Sequence, residues 1–184
     1  EKATGQTYRD YIRKHVFARA GMTHSDFLRL DRVNENTAEG CDPIQDESGC
    51  IVGWKRNIYS YPPVGSPDSG AYVTAVDLDR FLRAVMAGKL LSSELTRAFF
   101  TPQVPYRSGE KYDSMNGYGI WFYLDKAGKI ICCQKEGINA GVSAYIRHFL
   151  DKDVNVVMLS NMEDGVWEPV WKVHDMVVAG QLGE

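Results

Sequence analysis

Between Tyr118 and Ser160 the chain carries four apolar runs whose connections are too short to allow more than one kind of pairing. The runs Tyr118 to Leu124, Lys129 to Gln134, Val142 to Leu150 and Val154 to Ser160 are rich in β-branched and aromatic residues. They are separated by Asp125-Lys126-Ala127-Gly128, by Gly137 to Gly141 and by Asp151-Lys152-Asp153. A parallel crossover needs about a dozen residues or more, so neighbours joined this tightly must be antiparallel. After them Val166, Val170, Val173 and Val177 recur at helical spacing, which predicts a helix from about Val166 to Ala179 on one face of that sheet.

Upstream the texture is helical and then irregular. Tyr8, Tyr11, Ile12, His15 and Val16 share one helix face and Gly21 is placed to stop it, so a helix is expected over Thr7 to Arg19. From Asp31 to Gly70 turn residues dominate and no apolar period is sustained; Trp54, Tyr59 and Tyr61 in that stretch predict an ordered, partly buried excursion. Thr74-Ala75-Val76-Asp77 resembles a capping box, Leu78, Phe81, Leu82 and Val85 form a stripe, and Gly88 ends it. A shorter helix is expected from Ser92 or Ser93 to about Phe100, stopped by Pro102, followed by a polar loop. Helices, a meander and a last helix make an α+β layout, an antiparallel sheet with flanking helices in a single domain spanning 1–184.

Composition removes several function classes. The net charge of -3 arises from 21 basic and 24 acidic residues dispersed along the chain, without the basic run that tracks phosphates, so nucleic acid is not expected as a partner. No stretch reaches the roughly 18 apolar residues of a membrane span. The first residues lack the pattern of a signal peptide, and a chain starting at Glu1 rather than Met is expected to be a cut piece of something longer. Cys132 and Cys133 are adjacent, where a mutual disulfide would be strained, and no ligand-spaced His accompanies them or Cys41 and Cys50, so ordinary thiols and no metal are expected.

Serine hydrolysis needs a Ser beside a base and aimed at an oxyanion hole. The single S-x-x-K match, Ser108-Gly109-Glu110-Lys111, lies between Pro105 and a glycine without helical periodicity, so it reads as a chance loop match. No nucleophile elbow, zinc-protease helix motif or P-loop occurs. His15, His24, His148 and His174 are dispersed and read as structural. Lys135-Glu136-Gly137 stands out: it ends an apolar strand and enters the turn Ile138-Asn139-Ala140-Gly141, where a Lys can project into a cleft and a Gly lets backbone approach a substrate.

Several segments in order resemble the class C beta-lactamase and esterase branch of the serine beta-lactamase and penicillin-binding-protein superfamily. They are Gly5 to Ile12, Val16 to Thr23, Ser69 to Phe81, Tyr118 to Phe122, Glu136 to Ser143 and Val156 to Asn161. The resemblance implies the C-terminal portion of a beta-lactamase/transpeptidase-like fold, with the Ser-x-x-Lys nucleophile and Tyr-x-Asn relay expected in an N-terminal remainder of the same domain. It implies that Lys135 and Gly137 belong to the third active-site motif, that the N–H of Ile138 is an oxyanion donor, and that the loop around Tyr59 touches substrate. Glu136 replaces the usual Thr or Ser and is expected to pair with Lys135 and to repel an anionic substrate. A small-molecule or peptidoglycan-like substrate, no metal or organic cofactor, and a periplasmic or secreted setting are further implications. The alternative is a non-catalytic member that binds beta-lactam or peptidoglycan fragments, or a scaffold.

Overall fold

The computed structural model describes residues 1–181. Six antiparallel strands form one sheet in chain order: β3 (Val104–Ser108), β4 (Asp113–Asn116), β5 (Trp121–Leu124), β6 (Ile130–Asn139), β7 (Val142–Phe149) and β8 (Val154–Ser160). The expected meander is β5 to β8, and two further strands extend it through what reads in sequence as a polar loop. Val104, Pro105, Tyr106, Arg107 and Ser108 are exposed throughout β3, an edge strand, so no buried face imprints an apolar alternation. β5 begins later than expected, because Gly117 to Ile120 form a turn in which Gly119 has φ +74°.

β6 departs from the sequence reading in the other direction. The sequence places Gly137, Ile138 and Asn139 in a turn, yet they pair with Ala144, Ser143 and Val142, and only Ala140 and Gly141 connect β6 to β7. Cross-strand hydrogen bonds compensate for the poor strand propensity of a glycine. Lys135 therefore lies inside a strand, not at its end.

The helix α5 (Trp167–Ala179) covers one face of the sheet, burying Val170 and Val177, with Cys132, Phe149 and Val156 beneath the Val177 end. The other face packs Ile120, Phe122 and Cys133 against Phe99 and Phe100 at the end of α4 (Ser93–Phe99). Beside it α3 (Ala75–Met86) runs against β8. The Thr74 hydroxyl caps α3 by accepting from the Asp77 N–H at 3.1 Å. The Asp77 carboxylate does not return the bond; fully buried, it accepts from His24 N (2.7 Å), Ser25 Oγ (2.8 Å) and Arg80 Nη1 (2.8 Å), tying the chain after the first helical segment to α3.

That first segment is helical over its expected length but not uniformly α: α1 (Tyr8–Ile12), a π-helical turn (Arg13–Phe17) and α2 (Ala18–Ala20), closed by Gly21 at φ +73°. The Asp31 to Gly70 stretch holds a hairpin absent from the sequence reading, β1 (Cys41–Gln45) and β2 (Ile51–Arg56). Its side chains are largely exposed, so burial leaves no periodic signature. The expected partial burial of the aromatics also needs correction. Trp54 is 49% exposed and Tyr59, in the 3-10 turn Ile58–Ser60, is 95% exposed; only Tyr61 is half-buried.

Candidate active site

β5 ends where Trp121 pairs with Gln134, so from Lys135 to Asn139 β6 has β7 on one side and, among the described residues, no strand on the other. Hydrogen-bonded and non-hydrogen-bonded pairs alternate along an antiparallel ladder, and the pair flanking a two-residue connection is hydrogen-bonded. Counting back from Asn139 and Val142, the backbone N–H and C=O of Ile138 and Glu136 point away from β7, into the open edge. Lys135 is exposed and forms no ion pair among the described residues; its Nζ lies 5.7 Å from the Trp121 ring centroid. A Cβ added at Gly137 would meet nothing within 4 Å, and its φ is not in the left-handed region, so the fold does not require glycine there.

Glu136 does not pair with Lys135. Successive strand side chains take opposite faces, which puts Glu136 with its cross-strand partner Tyr145 on the α5 side and Lys135 with Ile146 on the other. Burial raises the Glu136 carboxyl above its usual range, against the charges of Lys135 and Arg147. On that face Arg147, 1% exposed, donates from Nε (3.0 Å) and Nη2 (2.6 Å) to Gln134 Oε1 and from Nη2 to Tyr145 Oη (2.7 Å). The rings of Trp171, Tyr145 and Tyr123 surround its guanidinium at 4.6, 5.0 and 5.8 Å.

The far end of the edge is tied to the irregular stretch. Tyr61 Oη donates to Ala140 O, and Asn139 Nδ2 donates to Ser69 Oγ at 3.3 Å. Asn57 is buried against Gly141, whose φ is +62°. The loop expected to wall the cleft thus reaches the β6–β7 turn through Tyr61 and Ser69, while the side chain of Tyr59 is free in solvent.

The remaining candidates are engaged elsewhere. Ser108 closes β3 with its hydroxyl donating to Asp113 at 2.6 Å, and Lys111 pairs with Asp175 at 2.9 Å, so the S-x-x-K match is neither helical nor self-contacting. His148 Nδ1 is 2.7 Å from Asn155 Oδ1. His174 is buried beneath Trp171, its Nε2 3.0 Å from Tyr112 Oη; desolvation, aided by the charge of Arg147, lowers it to about 4. All four cysteines are free, and burial pushes the thiols of Cys132 and Cys133 up to about 11 and 12. Among the described residues no group of three or more His, Cys, Asp or Glu could hold a metal ion, and no helix is long and apolar enough to cross a membrane.

The Arg147–Gln134–Tyr145 network and the Asp77 hub escaped the sequence reading. A signal for the first existed: Gln134 and Arg147 occupy positions of one period-2 face on which Cys132 and Phe149 are buried.

The sequence model of Beta-lactamase matches residues 1–172. A putative penicillin-binding protein, PbpX, of Bacillus subtilis (strain 168) is 29% identical over 130 residues, 67% of this chain and 27% of that protein. The penicillin binding protein from Bacillus halodurans has a crystal structure that superposes with a TM-score of 0.81 at 31% identity, over 94% of this chain and 50% of that one. The octameric penicillin-binding protein homologue from Pyrococcus abyssi shares the fold at 23% identity, with a TM-score of 0.76 over 100% of this chain and 40% of its own. The chain thus spans half or less of the length of these relatives.

Proposed function

The chain belongs to the Beta-lactamase family of serine hydrolases, and from that premise we propose that its Lys135–Ile138 edge is one wall of an acyl-transfer active site whose nucleophile lies in sequence outside Glu1–Glu184. The observation that carries this reading is the open edge itself: β6 keeps its β5 neighbour as far as Gln134 and is without it from Lys135 on. The geometry supports named roles. A substrate lying along the edge would find the Ile138 N–H directed at its carbonyl oxygen, where charge develops during attack by Ser. Gly137 leaves room for its backbone, and the Lys135 ammonium is available to a substrate carboxylate. With Glu136 on the opposite face, the acid forms no ion pair with that cation, which supports recognition of an anionic substrate such as a β-lactam or a D-Ala peptide. Water or an amine then resolves the acyl-enzyme.

The test is Lys135→Ala in the full-length protein, with Lys129→Ala at the other end of the same apolar run as control. Loss of a charge-assisted hydrogen bond to substrate costs about 1.5 to 3 kcal/mol, roughly a ten- to 150-fold fall in kcat/KM, with unfolding nearly unchanged. Lys129 pairs with Asp151 on the surface, and its removal is expected to leave turnover intact. Equal rates for the two variants would make Lys135 an ordinary strand residue.

A further inference from the structure

Arg147 is a charge buried where folding alone does not need one. The ion pairs of the described residues leave it out. Its Nη1 is buried and has no hydrogen-bond partner among the described residues. Burial of an incompletely bonded guanidinium is costly, and an apolar side chain of similar length filling the same space is often neutral or stabilising. What such a chain could not do is hold Gln134. Gln134 is the last residue of β6 with a strand on both sides, and Lys135 is the first with one. A strand paired on one edge only is free to fray or twist from the point where the second neighbour stops.

Arg147 sits at that point. Directly across from Gln134 on β7, it places two N–H groups on the single Gln134 oxygen and a further bond on Tyr145, the residue opposite Glu136. The cage around it joins three elements: Tyr123 from β5, Tyr145 from β7 and Trp171 from α5. We propose that Arg147 is a positioning residue, a clamp on the α5 side of the sheet that fixes the Lys135–Ile138 edge for substrate on the other side. This rests on the acyl-transfer reading of that edge. Arg147 touches no reacting atom; it acts through Gln134 and Tyr145.

The test uses the full-length protein with Arg147→Met, the double variant Gln134→Met/Arg147→Met, and Gln134→Glu. The double variant removes Arg147 together with its Gln134 acceptor, so that of the clamp's buried groups only the Tyr145 hydroxyl loses its partner, and it serves as the folded comparison if the single variant fails. In the Met variants exchange of the Lys135 and Gly137 amides, which face β7, is expected to quicken about tenfold or more, with less than about twofold change in β8. With a chromogenic β-lactam or ester as reporter, kcat is expected to fall about tenfold while KM moves less than about threefold, the pattern of lost orientation. Gln134→Glu, which still accepts both N–H groups, should keep wild-type exchange and kcat. Unchanged exchange at the Lys135 and Gly137 amides overturns the proposal, as does exchange that quickens evenly across the sheet with kcat tracking the folded fraction. If Lys135→Ala costs activity and the folded double variant does not, the clamp fails and the active-site reading stands. If Lys135→Ala itself costs nothing, that reading fails, and the exchange measurement still decides whether Arg147 holds the edge.

Discussion

A methyl group added at Gly137 meets nothing within 4 Å, whereas one added at Gly141 meets Asn57 Nδ2 at 1.9 Å and Cys41 N at 2.8 Å, on a residue held at φ +62°. Two substitutions of the same chemistry should therefore part company. Gly141→Ala is expected to cost about 2 kcal/mol or more in urea unfolding, from left-handed backbone strain and displacement of Asn57. Gly137→Ala should leave the urea midpoint in place and lower kcat/KM in the full-length protein, because the methyl group enters the space proposed for substrate. Loss of stability without loss of rate would reverse the assignment. His174 supplies a pH dependence. Its folded value of about 4 lies below the unfolded 6.5, so the unfolded chain binds more protons between those limits and stability falls as pH drops through that window. Full expression of the shift is worth about 3 kcal/mol, an upper bound. The groups facing the imidazole are Arg147, Lys111 and Asp175, and His174→Gln should flatten the urea midpoint between pH 6.5 and 4.5. Glu136, raised by burial, acts in the opposite sense over the lower part of that range. At this scale the sequence singles out Lys135 and Gly137 as candidates through the family resemblance of the segments around them, not through a Lys and a Gly beside a turn alone. Arg147 is marked in sequence only by its period-2 alternation with Phe149; an Arg in a strand ordinarily faces water, and the packing of α5 is what shows that this one does not.

α3 is fastened by the Asp77 hub, and its behaviour is that of an element. Burial alone would raise the carboxyl, but the Ser25 hydroxyl, the His24 N–H and Arg80 hold it below the usual range. Its stabilisation is therefore present above the ordinary carboxylate range and is lost as pH falls through the lowered folded value. Asp77→Ala orphans the His24 N–H and the Ser25 hydroxyl together and is expected to cost about 2 to 4 kcal/mol in urea unfolding, with Asp77→Asn costing less because the amide oxygen still accepts. Near-neutral behaviour of Asp77→Ala would show that the loop after α2 does not depend on the hub. The Thr74 cap and the apolar stripe of α3 were readable because they obey local rules of spacing. The destination of the Asp77 carboxylate was not, since His24 and Ser25, which bond it alongside the local Arg80, lie more than fifty residues away in the chain. β3 and the hairpin of β1 and β2 were missed for a related reason: largely exposed strands bury no face and so carry no alternation.

At the scale of the whole molecule, the proposed cleft has one wall in this chain, and among the described residues the single S-x-x-K match is engaged elsewhere. Glu1–Glu184 on its own is expected to turn over neither esters nor β-lactams above background, because Ser108 and Lys111 are committed to Asp113 and Asp175. Robust hydrolysis that vanishes in Ser108→Ala would overturn this. Short connections and apolar periodicity were sufficient by themselves to determine the antiparallel meander, the covering helix and the α+β layering, because those features follow from local geometry and from which faces must leave water. Tertiary structure decided where β5 stops against β6, and hence that Lys135 to Asn139 has an open edge. It also decided that Glu136 turns away from Lys135, and that Arg147 is buried behind both. Register and burial depend on which distant side chains share a face, and a one-residue shift in pairing reverses every side chain of a strand, so no local pattern could have specified them.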